Sequence, residues 1–268
     1  MIVDTHQHFW RYTDEEFGWI SSDALRRDFG PADLSETLRA AGVDQVVSVE
    51  ARQCVAETEQ LLADAAEHAF IAGVTGWLPI AAGDFTGHLE RLADAPKLKA
   101  LRHVVQDEPD DAFILRADFN RGIDCLEQTS LAYEILVFQR QLANAVRFAD
   151  RHPNLRMVLD HMGKPERGRA GGSIPNEEWK RLIREMGQRE NVWCKVSGLV
   201  TEVGRVDFRP YLETVLAAFG PARVMWGSDW PVCTADLPYS DWLAACRAVL
   251  PEECFGKTAQ EFYKLRGE

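Results

Sequence analysis

The feature that most constrains the fold is a regular alternation of short apolar runs with stretches that fit a helix. The apolar runs predict eight strands, at residues 2–8, 45–50, 70–75, 98–103, 133–138, 155–160, 192–196 and 222–227. Helical patterns fall at residues 32–41, 54–68, 84–94, 111–121, 139–151, 176–189, 208–219, 241–250 and 257–266. Strands that alternate with helices form parallel sheets, and eight repeats in 268 residues predict a closed (β/α)8 TIM barrel.

A doubly wound open sheet is the alternative to the barrel. Such a sheet usually carries a glycine-rich phosphate loop after its first strand. Here His6-Gln7-His8-Phe9-Trp10 occupies that position. No internal repeat or low-complexity stretch divides the chain, so one domain over residues 1–268 is expected.

Composition limits the partners and the compartment. A net charge of −12 disfavours nucleic acid and anionic membrane surfaces as partners. No run approaches the 18–20 apolar residues of a membrane span, and the start Met-Ile-Val-Asp does not resemble a secretory signal. The six cysteines are scattered and form no CxxC motif, which is typical of small buried residues in a reducing cytoplasm. A cytoplasmic location is therefore expected.

Polar side chains collect at the predicted carboxyl ends of the strands, where a parallel barrel places its active site. They are His6, His8, Glu50, Arg52, Gln53, Arg102, His103, Asp160, His161, Lys164, Lys195, Ser197, Asp229 and Trp230. His6 and His8 share one face of their strand because side chains alternate. Among chains with this length and this many histidines, roughly one in five contains an HxH pair by chance, so the pair alone is a weak signal. The remaining histidines, predicted to be solvated, are His68, His88 and His152.

Each of these residues also has a structural interpretation. His103 could hydrogen-bond a backbone carbonyl, and Glu50 and Lys195 could form an ion pair inside the barrel mouth. Asp160 has the opposite strand parity to His161, so it is expected to face the helix layer. The segment of residues 9–31 lacks periodicity and is predicted to be a loop that covers the mouth; its aromatic residues include Trp10 and Trp19.

The combination of His6, His8, His161 and Asp229 is harder to explain structurally. It would bring three imidazoles and a carboxylate to one mouth from strands far apart in sequence. Imidazole nitrogen and carboxylate oxygen are ligands of a divalent metal.

Three motifs resemble the amidohydrolase superfamily: residues 4–10 (DTHQHFW), 159–165 (LDHMGKP) and 226–231 (WGSDWP). Together they are most similar to the amidohydrolase-related group, also called amidohydrolase 2, and to its sugar lactonases. Residues 101–109 (LRHVVQDEP) further resemble the L-fuconolactonase and L-rhamnonolactonase members. The resemblance covers nearly the whole chain and implies a metal-dependent-hydrolase type of barrel.

The resemblance also bears on the metal. Binuclear members of the superfamily carry a bridging Lys or Glu on strand four and a His on strand five. This chain has Arg102-His103 on strand four and no histidine between His103 and His152. The resemblance therefore implies at most one divalent ion, zinc, which some lactonases do not require. Two alternatives stay open for His6 and His8, metal ligation or hydrogen bonding to a carbonyl.

The resemblance implies hydrolysis of a sugar lactone, with Asp229 as general base and His161 and His103 as further catalytic residues. The expected metal ligands are His6, His8, His161 and Asp229. The expected substrate contacts are Trp10, Trp19, Glu50, Arg52, Gln53, Lys195 and Trp230.

Two other functions compete with the lactonase. The first is a metal-dependent decarboxylase or hydratase on the same barrel, and the second is a non-catalytic protein that stores metal. None of these motifs specifies the stereochemistry of the substrate, the lactone ring size or the oligomeric state.

Overall fold

The computed structural model describes residues 1–168 and 170–265. Eight strands form one sheet in sequence order, and each consecutive pair is parallel. The strands are β1 (Val3–Gln7), β2 (Gln45–Val49), β3 (Ile71–Gly76), β4 (Leu98–His103), β5 (Ala132–Ile135), β6 (Met157–Leu159), β7 (Val192–Val196) and β8 (Val224–Trp226). The predicted (β/α)8 barrel is confirmed.

The helices surround the sheet. They are α1 (Pro31–Ala41), α2 (Val55–Glu67), α3 (Phe85–Leu92), α4 (Ala117–Leu126), α5 (Leu142–Arg151), α6 (Glu177–Gly187), α7 (Leu199–Val203), α8 (Arg209–Phe219), α9 (Tyr239–Arg247) and α10 (Lys257–Tyr263). The helix predicted at residues 111–121 starts later, because Phe113–Leu115 forms a separate 3-10 turn. The short α7 was not predicted. The predicted end of the last helix, Arg266, lies outside the described residues.

The barrel closes through backbone hydrogen bonds between the ends of β1 and β8. The amide of Asp229 donates to the carbonyl of His6 at 2.7 Å, and the amide of His8 donates to the carbonyl of Trp230 at 2.7 Å. Nearer the N-terminal ends of the strands, the Thr5 hydroxyl donates to the carbonyl of Trp226 at 2.8 Å. These bonds place the residues after β8 directly against His6 of β1 and against His8, which directly follows β1.

Apolar side chains fill the N-terminal end of the barrel. Small and branched residues from six strands pack there: Val3, Val47, Ala100, Ala132, Val158 and Met225. Phe262 and Tyr263 at the end of α10 cover this layer from below. Trp226, in contrast, packs in the larger core between the sheet and the helices. The open end of the barrel is therefore the C-terminal end of the strands.

A buried network of charges lies above the apolar layer. Lys195 Nζ donates to the Glu134 carboxylate and lies 3.2 Å from Asp160 Oδ1. Thr75 Oγ1 and the Tyr263 hydroxyl also donate to Glu134. The side chains of Glu134, Lys195 and Asp160 are fully buried. Each charge is therefore compensated by neighbours rather than by water.

Two predictions about this network were wrong. Glu50 does not pair with Lys195, because Arg102 Nε takes its carboxylate at 2.7 Å. Asp160 faces the barrel interior and accepts from Arg102 Nη1 at 3.1 Å. Val158 belongs to the layer inside the barrel and Leu159 to the core outside it, so alternation along β6 directs Asp160 inward. The chain leaves the strand conformation at His161, which has a φ of 50°, so the side chain of His161 cannot be used to infer the direction of Asp160.

The prediction that His152 is solvated was also wrong. His152 follows α5 and is only 3% exposed. Its ring packs against Phe148 with a centroid separation of 4.9 Å, and its Nε2 lies 2.9 Å from Asn120 Oδ1. Burial lowers the pKa of His152, while the Glu127 and Asp124 carboxylates oppose that change.

Within the described residues, no helix combines the length and the apolarity needed to cross a bilayer.

The first prediction concerns the buried charges. In Glu134→Gln the new amide group would face the Lys195 ammonium, so two donors would meet where an ion pair exists now. Breaking a buried pair on one side lowers the free energy of unfolding by about 3 kcal/mol or more. For a chain of this size that corresponds to a fall in Tm of about 6 °C or more.

The matched control is Glu213→Gln, an exposed partner of Arg209 at 3.5 Å on α8. Its loss should cost well under about 1 kcal/mol, because exposed pairs are screened by water. Thermal and urea unfolding of both variants measures the difference. Equal, small effects in the two variants would show that Glu134 does not stabilise the barrel.

Candidate active site

A cavity of about 610 Å³ opens at the C-terminal ends of the strands. This volume is in the range of small-molecule sites. Its lining combines polar residues that follow β1, β2, β6 and β8 with residues of the covering loop. The lining residues include His8, Glu16, Trp19, Arg52, Gln53, Arg102, His161, Lys164, Gly198, Glu202 and Asp229.

At the floor of the cavity, Asp229 lies against His6 of β1 and against His8, which directly follows β1. Asp229 Oδ1 lies 3.4 Å from His8 Nε2 and 3.9 Å from His6 Nε2. The His6 ring is 5.0 Å from the His8 ring and 4.4 Å from the His161 ring, measured between centroids. The structure thus brings together the four residues that the sequence placed at one mouth.

The tautomer of His8 follows from its backbone contact. His8 Nδ1 lies 2.8 Å from the carbonyl oxygen of Val49, which can only accept. Nδ1 therefore carries the proton, and in neutral His8 the lone pair of Nε2 points toward the Asp229 carboxylate. Two acceptors that face each other at 3.4 Å favour a cation between them, either a proton or a metal ion.

His6 lies between two permanent cations. Lys195 Nζ is 3.2 Å from His6 Nδ1, and Arg102 Nη1 is 3.3 Å from His6 Nε2. Burial, followed by the charge of Lys195 and the neighbouring His8 and Arg102, holds the pKa of His6 well below its usual range. His6 is therefore neutral, and Arg102 competes for the lone pair that a metal ion would use.

The position of His161 depends on a glycine. His161 has a left-handed backbone with φ 50°, and its Nδ1 lies 2.9 Å from Ser197 Oγ. A Cβ on Gly198 would lie 2.5 Å from His161 Nδ1, so only glycine leaves room for this ring. Burial, together with the nearby His6 and Lys164, holds the pKa of His161 well below its usual range.

Asp229 is a buried carboxylate that remains ionised. Burial raises its pKa, but a hydrogen bond from His8 and the ammonium of Lys164 lower it, and the pKa lies below the ordinary value. A carboxylate in this form can accept a proton from water.

The cavity walls carry further polar groups. Arg52 pairs with Glu16 and so connects the end of β2 to the covering loop, which also contributes Trp19. Gln53 Oε1 accepts from Trp77 Nε1 at 3.2 Å and from the Val104 amide at 3.0 Å, so Gln53 offers its amide N–H groups to a ligand.

Four of the predicted substrate contacts do not line the cavity. Trp10 packs against Phe29 in the covering loop, and Trp230 lies edge-on to the same ring. Glu50 and Lys195 have no exposed surface and serve the charge network beneath the floor. These four side chains lie outside the cavity lining, so the geometry gives no support to the prediction that they contact a substrate.

His103 also lies away from the cavity lining. Trp77 Nε1 is 3.3 Å from its Nδ1, its Nε2 is 2.7 Å from Glu108 Oε1, and its ring stacks on Phe113. Successive residues of a strand point in opposite directions, so at the end of β4 only one of Arg102 and His103 can face inward. Arg102 does, and the catalytic role expected of His103 stays a prediction.

The sequence placed Arg102 at the active-site end of the barrel but assigned it no role, although strand parity could have shown that either Arg102 or His103 faces inward. Sequence reasoning missed Glu16, which pairs with Arg52 at the wall, and Glu202. Glu202 belongs to the unpredicted α7 and lies 3.2 Å from Lys164. No periodic signal in the sequence marks either glutamate.

The residues of the floor fit one metal ion. The ligand atoms of His6, His8 and Asp229 lie within 4.8 Å of one another, as do those of His6, Asp160 and His161. Asp160 is held by Arg102 and Lys195, so it is less free to bind an ion. The first triad, in which a lone pair of His8 meets Asp229, is the better match to a divalent ion.

Comparison with known proteins agrees with this geometry. A family model described as amidohydrolase matches residues 3–265. A relative from Burkholderia ambifaria named L-fucono-1,5-lactonase is 36% identical, over 98% of this chain and 95% of its own length. A second one, of the same name and from Burkholderia multivorans, is 39% identical over 89% of this chain and 85% of its own length.

A solved structure of an amidohydrolase is also similar to this chain in its fold. The crystal structure of an amidohydrolase from Burkholderia multivorans with bound zinc has a TM-score of 0.90 and 35% identity, and the alignment covers 99% of this chain and 100% of that one. Since the family match takes in all eight strands and every floor residue described above, this chain belongs to the amidohydrolase family.

Proposed function

We propose that this amidohydrolase opens the ring ester of a sugar lactone to give the free sugar acid, with L-fuconolactone or a related aldonolactone as substrate. The names of the two relatives support the substrate class. The observation that carries the chemistry is the ionised Asp229 carboxylate, 3.4 Å from His8 Nε2 on the floor of a sugar-sized cavity. We also propose a cytoplasmic location, supported by six free cysteine thiols.

The reaction requires one group that accepts the proton of the attacking water. It also requires hydrogen-bond donors to the carbonyl oxygen, which gains negative charge. Water attacks the lactone carbonyl carbon, and its proton moves to Asp229 as the new C–O bond forms. The ring C–O ester bond then breaks, and Asp229 returns the proton to the departing ring oxygen. The products are a hydroxyl group and a carboxylic acid, so water is the sole co-reactant.

The cationic and imidazole groups around Asp229 bind the carbonyl oxygen. Arg102 and Lys164 line the cavity and supply fixed N–H donors, and His161 lies beside them. Donors held in place by buried partners stabilise a developing oxyanion without having to reorganise. Arg52, Gln53 and Trp19 lie at the wall, where they can bind the hydroxyl groups and one face of the sugar ring.

One zinc ion could be held at this floor by His6, His8 and Asp229, with His161 beside them. When bound, zinc polarises a carbonyl and lowers the pKa of a bound water. Arg102, only 3.3 Å from His6 Nε2, repels a divalent cation at this position. We therefore propose at most one ion at the floor, held weakly and not essential for turnover.

A panel of lactones tests the substrate and the metal together. Hydrolysis of L-fuconolactone, its D enantiomer and L-rhamnonolactone is followed with a pH indicator, with correction for spontaneous opening. We expect a kcat/KM of about 10⁴ M⁻¹s⁻¹ or more on the L-fucono compound. Chelator should reduce it far less than the roughly 10³-fold loss that removal of an essential metal causes. Release of CO₂ from carboxylated aromatics without lactone opening would favour the decarboxylase alternative.

A second prediction concerns the base. Asp229 has a left-handed backbone with φ 61°, a conformation that Asn also tolerates, so Asp229→Asn should fold normally. An amide cannot take a proton from water, so kcat should fall by about 10²–10⁴-fold with little change in KM. Steady-state kinetics and the Tm of the variant separate a catalytic from a structural role.

Asp107→Asn is the matched control, because Asp107 lines the same cavity but is exposed. It should leave kcat near the wild-type value. A folded Asp229→Asn protein with near-normal kcat would remove Asp229 from the mechanism.

A third prediction concerns Gly198. In Gly198→Ala the added methyl group would displace the His161 ring, which lies 2.5 Å from the new Cβ. Misplacement of a site group by about 1 Å can cost on the order of 10²-fold in rate. Gly42→Ala has a similar backbone φ of +66° but meets no atom within 4 Å, so it reproduces the backbone strain alone. Kinetics of the two variants should differ strongly, and equal activities would argue against a role for the His161 position.

A further inference from the structure

A second cluster of potential metal ligands lies outside the barrel mouth, in the helix layer. It consists of Asp124 in α4, Glu127 immediately after α4, and His152 immediately after α5. The ligand atoms of these three residues lie within 4.8 Å of one another. Asp124 Oδ1 is 3.5 Å from His152 Nδ1, and Glu127 Oε1 is 3.9 Å from it. We call these three residues the outer cluster.

A chain of hydrogen bonds fixes the proton of His152. Asn120 Nδ2 donates to the carbonyl oxygens of Ile114 and Arg116, at 2.8 and 2.7 Å. These two bonds identify the other atom of the amide, Oδ1, as an acceptor. It lies 2.9 Å from His152 Nε2, which must therefore be the protonated nitrogen. A carbonyl-type oxygen that fixes the tautomer in this way is the usual outer partner of a metal-binding histidine.

The other ring nitrogen then has no proton and no donor. In neutral His152 the lone pair of Nδ1 faces two carboxylates, which are themselves only acceptors. His152 is 3% exposed, and within the described residues neither its Nδ1 nor Glu127 Oε1 has a hydrogen-bond partner. A buried polar atom without a partner costs free energy. Three acceptors directed at one point are stabilised by a cation there.

The position along the helix strengthens this argument. Asp124 is in the last turn of α4, and Glu127 follows it as the C-cap. The C-terminal end of a helix carries partial negative charge and favours cations, so two carboxylates are unfavourable there by themselves. Arg151, which directly precedes His152, directs its Nη1 to the carbonyl of Leu115 at 3.0 Å.

We propose that the outer cluster is a binding site for one divalent transition-metal ion of the zinc type, separate from the barrel mouth. Tetrahedral zinc with bonds of about 2.0–2.1 Å separates its ligand atoms by roughly 3.3 Å, so small side-chain shifts suffice here. An imidazole nitrogen favours zinc, cobalt or nickel over magnesium and calcium. The Asp124 side chain is 66% exposed, which gives an ion access from solvent.

The role of such an ion is structural. It would connect the end of α4 to the residue after α5, and none of the three ligands lines the cavity. The inference therefore does not depend on the proposed lactonase activity.

The experiment uses the full chain after removal of metal with chelator. Zinc uptake is measured by calorimetry and elemental analysis, and cobalt is used as a spectroscopic probe of tetrahedral coordination. Three proteins are compared: wild type, the double variant Asp124→Asn/Glu127→Gln, and Glu90→Gln, an exposed carboxylate on α3. The barrel mouth is intact in all three, so any difference in uptake reports on the outer cluster.

We expect the double variant to bind one equivalent less zinc than wild type and Glu90→Gln, and to lose the corresponding cobalt bands. At a free zinc concentration about a hundred times the dissociation constant, binding at this site should raise the Tm by about 5 °C. The double variant should not show this increase. Lactone hydrolysis should be the same in all three proteins. Equal zinc uptake and equal Tm shifts in the three proteins would overturn the proposal, as would NMR spectra showing His152 doubly protonated with no metal uptake.

Discussion

The site depends on the way the barrel closes. The last strand does not pair fully with the first; instead two backbone hydrogen bonds connect the residues after β8 to His6 and His8. Through them the backbone of Asp229 is held 2.7 Å from the carbonyl of His6, in a left-handed conformation. The carboxylate is thereby placed beside two imidazoles. The same interactions that complete the fold therefore create the reactive group.

Buried charges beneath the floor determine how these groups behave. Arg102 and Lys195 flank His6, and three carboxylates compensate them: Glu50, Glu134 and Asp160. Because each of these charges contacts an opposite charge, the network can remain buried, and because two cations touch His6, that imidazole stays neutral. A neutral His6 beside a fixed guanidinium is a weak ligand for a second positive ion. The floor thus favours oxyanion binding by protein groups over tight binding of metal.

Periodicity was sufficient to predict the strands, because each strand of a parallel barrel is buried on both faces and appears as a short apolar run. The positions of His6, His8, His161 and Asp229 then followed from the rule that functional groups lie at carboxyl strand ends. The errors occur where the backbone leaves the strand. The direction of Asp160 was inferred from His161, which lies in a left-handed segment after β6, and side-chain directions there depend on tertiary contacts that no local pattern contains. The buried His152 was missed for the same reason, since its partners lie on another helix.

The barrel floor and the outer cluster present the same local arrangement, a histidine whose proton is fixed by an oxygen acceptor and whose lone pair faces carboxylate. Their surroundings differ. At the floor, Arg102 and Lys164 lie nearby and repel a divalent ion. At the outer cluster, two carboxylates and the negative end of α4 attract one. Coulomb interactions of single charges a few ångströms apart amount to several kcal/mol near a protein surface. The outer cluster should therefore hold zinc more tightly than the floor, so an ion retained through purification does not by itself establish a metal-dependent reaction.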